Sequence, residues 1–180
     1  ISVYNIKSSR LNKKKKFRTP PFCNGRFFFW QKEWEATTPD SFSVTFSACG
    51  TSIHVGLSTL TTQARLSTSG SFNCSYDYAI RLNTQPTTNP SIPPIVIEKY
   101  TAGVAAGSGE ATPVITQLPV KLISGLPEVI IGTYKDYWVT YNAGLIEVGL
   151  GKVPGNQIIA VAFDQDAPSG VCTFCFSSEM

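Results

Sequence analysis

The sequence predicts an all-β protein, an antiparallel β-sandwich of jelly-roll-like type. Three observations carry this. Short segments alternate apolar and polar residues along most of the chain. β-Branched and aromatic residues, which suit a pleated, half-buried surface, concentrate in those segments. No window of eleven residues keeps apolar positions at helical spacing without a proline or glycine, in a chain with 14 glycines and 12 prolines.

About eleven extended segments follow in order. "SVYNI" (2–6) is short and precedes a run of lysines. "RFFFWQK" (26–32) sets Phe27, Phe29 and Gln31 on one face and Phe28, Trp30 and Lys32 on the other. A strand apolar on both faces is expected to be sandwiched or covered by a partner, with a ligand-stacking platform as the second option. "SFSVTFSA" (41–48) follows Asp40, a possible helix cap, but its alternation reads as strand. "SIHVGLS" (52–58) turns His54 to the face opposite Ile53 and Val55. "YDYAIRLN" (76–83) and "PIVIEKY" (94–100) flank a proline-rich loop, "TQPTTNPSIPP". "TPVITQLPVKL" (112–122) and "EVIIG" (128–132) come after a small-residue loop, "TAGVAAGSGEATP". "KDYWVTYN" (135–142) and "LIEVGL" (145–150) are joined by Asn142-Ala143-Gly144, a hairpin with glycine where positive φ is needed. "QIIAVAFD" (157–164) precedes "VCTFCFS" (171–177), which closes the sheet.

The length of 180 residues suits one domain with a real core. Residues 25–180 are assigned to that domain, and 1–24 to a basic N-terminal arm or linker with a short strand. The net charge of +3 is concentrated in Lys13 to Lys16, extended by Arg10 and Arg18, and the remainder is close to neutral. A lysine run without interleaved aromatics reads as a solvated linker or processing site, so nucleic acid is not the favoured partner. No stretch approaches the roughly 20 apolar residues of a membrane helix. The chain starts at Ile1 and its single methionine is Met180, which suggests a processed form or a piece of something longer.

The five cysteines, Cys23, Cys49, Cys74, Cys172 and Cys175, are disulfide candidates, and their odd number leaves at least one unpaired within the chain. "NCS" makes Asn73 a glycosylation candidate. Together these point to a secreted, extracellular domain. Cys172 and Cys175, three apart on one strand, face opposite sides and are not expected to pair with each other.

Two glycine-rich stretches imitate nucleotide or cofactor loops. "TYNAGLIEVGLGK" (140–152) and "VIEKYTAGVAAGSGE" (96–110) each follow a strand. Phosphate binding needs a helix after the loop, whose N-terminus supplies amides and dipole. In both cases proline and β-branched residues follow instead. No cofactor is expected. Metal is not expected either: "CTFC" lacks a second pair, and "DQD" (164–166) lacks further oxygen ligands. His54 is the single histidine, and no serine lies in a nucleophile elbow, so no catalytic residue is assigned.

Three blocks resemble the farnesoic acid O-methyltransferase domain family. They are "SFSVTFSACGTSIHVGLS", "LPEVIIGTYKDYWVTYNAGLIEVGLGK" and "IIAVAFDQDAPSGVCTFCFS", within residues 27–178. The Trp-containing strand and the Gly-x-Ile-x-Val-Gly-x-Gly-like strand after it are the most specific part. The middle of the chain, 76–115, departs from the family's pattern. The resemblance implies an all-β module of extracellular multidomain proteins, and the family's name implies methyl transfer.

The expected function is a non-catalytic extracellular recognition or adhesion module that binds a glycan or a protein partner. His54, Asp136, Tyr137, Trp138 and Tyr141 are its candidate ligand-binding residues, because an aromatic ring beside a carboxylate suits a sugar. Two alternatives stand beside it: a structural subunit or docked domain of an extracellular assembly, homo- or hetero-oligomeric, and a farnesoic acid O-methyltransferase.

Overall fold

A computed structural model describes residues 2–7, 28–35, 38–48, 52–59, 77–83, 93–101, 114–124 and 134–179. The lysine run, the "EVIIG" segment, Asn73, Cys23, Cys49 and Cys74 lie outside the described residues. So do the side chains of the first two strands, Thr173 and residues 175–179.

Twelve strands and no α-helix occur among the described residues: β1 (Ser2–Lys7), β2 (Phe28–Glu35), β3 (Ser41–Ala48), β4 (Ser52–Thr59), β5 (Tyr78–Asn83), β6 (Ile95–Thr101), β7 (Val114–Gln117), β8 (Val120–Leu122), β9 (Lys135–Asn142), β10 (Leu145–Leu150), β11 (Ile158–Phe163) and β12 (Val171–Glu179). They form two antiparallel six-stranded sheets. Sheet A runs β1-β3-β9-β10-β11-β8, and sheet B runs β2-β12-β4-β5-β6-β7. β1 pairs along β3, so sheet A draws on residues of the N-terminal segment as well.

The two sheets share one core. Phe42, Val44, Phe46, Tyr137, Val139, Tyr141, Ile146 and Val148 of sheet A meet Ile53, Val55, Leu57, Tyr78, Ile80, Leu82, Ile95, Ile97 and Phe174 of sheet B. Phe42 stacks on Phe174 with centroids 5.9 Å apart, and Tyr78 tilts against Tyr141 at 5.8 Å, each pair joining one sheet to the other. Alternation makes this possible, since residues i and i+2 share a face. Each fully buried Val, Leu, Ile or Phe contributes about 1.5–3 kcal/mol. Cys172 is buried in the same core.

The single segment expected over 112–122 is two strands in different sheets. β7 pairs with β6, whereas β8 pairs with β11. The break falls at Leu118-Pro119. The Leu118 N–H still donates to the Ile97 carbonyl of sheet B at 2.8 Å. Pro119 has no N–H to continue that ladder, so the chain leaves the sheet there.

Polar contacts fasten one end of the sandwich. The Asp164 carboxylate, 7% exposed, accepts from the Tyr78 hydroxyl at 2.7 Å and pairs with Lys99 Nζ at 2.8 Å. This ties the end of β11 to β5 and β6. The Asp40 carboxylate accepts from the backbone N–H groups of Gly170 and Val171 at 2.8–2.9 Å, tying the start of β3 to the start of β12.

Candidate functional site

The 140–152 stretch carries three glycines, none of which faces a helix N-terminus among the described residues. Asn142 pairs with Leu145, so Ala143 and Gly144 form a two-residue turn with φ of 44° and 91°. Positive φ at both central positions is the type I′ signature that matches the twist of a hairpin. Gly149 stands opposite Trp138 in the β9–β10 register, and a Cβ there would lie 2.1 Å from the indole ring. Its missing side chain is the seat of the tryptophan. Gly151, with φ of 86°, starts the loop that returns over the ring. The Trp138 Nε1–H donates to the carbonyls of Leu150 at 3.1 Å and Asn156 at 2.8 Å.

Trp138 therefore sits on the outer side of sheet A yet is fully buried, covered by the 151–157 loop. Tyr137 and Tyr141 point the other way, into the core between the sheets. Burial pushes both phenols up to about 12. The Tyr137 hydroxyl has no hydrogen-bond partner there, although its ring stacks on Phe46 with centroids 5.8 Å apart. Asp136 is half-buried beside the same loop, accepting from the Ser47 hydroxyl and lying 3.5 Å from Lys152 Nζ. His54 lies on β4 in the other sheet, half-buried, with Ser52 Oγ 2.8 Å from its Nε2. The five expected ligand residues are thus not brought together. Three are buried rings, and Asp136 and His54 occupy different sheets.

The aromatic-plus-carboxylate arrangement occurs elsewhere, on the outer face of sheet B. Ile95 and Ile97 of β6 enter the core, so Val96, Glu98 and Tyr100 turn outward. The Tyr100 hydroxyl donates to Glu98 Oε2 at 2.9 Å. On β5, Ile80 and Leu82 face inward and Arg81 outward, its Nη2 3.6 Å from the same Glu98 oxygen. Register extends the strip across four strands. His54 of β4 is opposite Arg81, Gln117 of β7 is opposite Glu98, and Ile115 of β7 is opposite Tyr100. Arg81 keeps 41% of its side chain exposed and Glu98 20%. The strip offers guanidinium donors, a carboxylate acceptor, an amide and a half-buried phenol ring on one sheet face.

His54 was legible as an outward residue. Glu98 and Tyr100 form an alternating pair in "VIEKYT", just ahead of the glycine-rich stretch. After that loop the described chain continues as strand β7, not helix. No group of three or more His, Cys, Asp or Glu side chains that would hold a metal ion occurs among the described residues. In "DQD", Asp164 is taken up by Tyr78, Lys99 and the Asp166 N–H. No helix of the described residues is long and apolar enough to cross a membrane.

No protein-family model, curated protein or solved structure matches this chain.

Proposed function

We propose that this chain is a non-catalytic extracellular recognition or adhesion module that binds a glycan through the outer face of sheet B. The observation that supports this reading most is the Arg81–Glu98–Tyr100 strip, flanked by His54 and Gln117. Sugar recognition needs a ring face for the sugar's C–H surface and fixed donors and acceptors for its hydroxyls. These residues supply all three on a rigid sheet face. The extracellular part of the reading rests on the Asn73 sequon and five cysteines. The resemblance to the farnesoic acid O-methyltransferase domain agrees with an all-β module. The methyl transfer in its name finds little support, because the 140–152 stretch leads into strand β11 instead of the helix that a cofactor loop requires.

A glycan array probed with the full chain tests the reading. Saccharide binding that drops at least about tenfold in Glu98→Gln, as expected when a charged hydrogen-bonding group is neutralised, supports it. Binding unaffected by Glu98→Gln would move the site elsewhere. Peptide mass mapping without reduction tests the compartment: a glycan on Asn73 and disulfides are expected, and a bare Asn73 with five thiols would oppose it.

A second reading, a docked or structural part of an extracellular assembly, has its own observation. Val114, Ile115, Leu122 and Ile123 are each about half exposed, at 46–55%, along the segment that forms both β7 and β8. Those two strands end the two sheets among the described residues, and a strand at a sheet end favours pairing with another strand. Sedimentation velocity distinguishes it, since a chain that remains monomeric across concentration argues against assembly.

A further inference from the structure

Resting on the glycan reading, we propose that the ligand is a neutral saccharide whose pyranose presents an apolar ring face, not a uronic or sulfated one. The argument begins with charge. Arg81 and Glu98 are the strip's fixed opposite charges, and their side chains meet at 3.6 Å. The adjacent cation on β6, Lys99, turns inward to Asp164 at 2.8 Å and leaves the face. The strip is thereby neutralised from within. An anionic sugar approaching Arg81 meets the like charge of Glu98 beside it, which repels it and cancels much of the attraction of the guanidinium.

The second argument is shape. Residues two apart on a strand stand roughly 6.6 Å apart, and because Val96 is only 7% exposed the accessible part of the outward row is Glu98–Tyr100, room for one pyranose ring. At one end Tyr100 faces Ile115 across the strands, and Ile115 is 54% exposed. This end is aromatic and aliphatic, suited to a sugar's C–H surface. At the other end Arg81 provides forked N–H donors, which suit neighbouring hydroxyls. Apolar contact at one end and hydroxyl recognition at the other fit a neutral pyranoside.

The test uses the full chain on an array of neutral, uronic and sulfated oligosaccharides, followed by titration of the best binder. Neutral saccharides should bind, with affinity little changed by added salt. Tyr100→Ala should weaken that binding about three- to tenfold through loss of ring contact, and Tyr100→Phe should retain most of it. Circular dichroism of both variants confirms the fold. Preferential binding of uronic or sulfated saccharides, with affinity falling steeply in salt, would overturn the neutral-ligand assignment while leaving glycan recognition standing. Full affinity in Tyr100→Ala would overturn the assigned ring contact. An array without any binder would overturn both the glycan reading and this one.

Discussion

At the scale of single residues, the decisive position is Gly149. A strand glycine usually weakens a sheet, because it loses conformational freedom on folding and packs nothing. Here its emptiness accommodates the Trp138 ring, and a Cβ would stand 2.1 Å from Cε2 and Cζ2. The indole cannot step aside easily, since its Nε1–H is held by two carbonyls. Gly149→Ala should therefore destabilise the protein by about 1–3 kcal/mol through overpacking, read as a lower urea midpoint with unchanged slope. Trp138 fluorescence should shift red as the loop lifts. The sequence placed Trp138 on an alternating strand and paired it with a glycine-rich one, but its burial depended on a loop folding back over the outer face. No local pattern announces such a return. The burial of Tyr137 and Tyr141 is hidden for a related reason. Alternation groups them on one face, but it does not say which face is the core.

At the scale of elements, alternation located the strands well. The segments 41–48, 135–142 and 145–150 coincide with β3, β9 and β10. What it missed was a change of sheet inside one apolar run, at Leu118-Pro119. Pairing is equally invisible locally: β12 lies between β2 and β4, strands far from it in sequence. The β9–β10 hairpin shows where an element departs from its optimum. Ala143 adopts φ of 44°, a left-handed conformation that costs a residue with a Cβ about 1 kcal/mol. Ala143→Asn, which gives the Asn-Gly pair favoured in this turn, should raise stability by up to about 1 kcal/mol. Thermal denaturation would register it as a higher midpoint. No change would mean that neighbouring contacts, such as Ala143 N–H to the Asp40 carbonyl at 2.7 Å, already fix the turn.

At the scale of the whole molecule, the sheets are joined by apolar packing and, at one end, by two carboxylates. Burial raises the Asp164 pKa, but hydrogen bonds from Lys99, Tyr78 and the Asp166 N–H outweigh it, and the group lies below its usual value. Burial and the Asp164 bond push the Tyr78 phenol far up. A depressed folded-state pKa stabilises the charged form. Its contribution is therefore complete above the ordinary aspartate value of about 4 and is lost as pH falls through the lower folded value. Asp164→Asn should cost about 2–3 kcal/mol near neutral pH, since it leaves the partly buried Lys99 with the Asp166 carbonyl but without its counter-charge. It should also flatten the loss of stability on acidification below about pH 4. Chemical denaturation across pH compares the two proteins, and parallel curves would mean that other carboxylates govern acid unfolding.

The position of β12 bears on how the molecule carries load. It is hydrogen-bonded along one side to β2 and along the other to β4, antiparallel to each. Its first residue is further anchored where Asp40 receives the Val171 N–H and Val171 returns its carbonyl to the Asp40 N–H. A pull along β12 meets two ladders loaded in shear, whose bonds must fail together instead of peeling one by one. Tension entering through that strand would be borne by an interior strand of sheet B, one place in from β2.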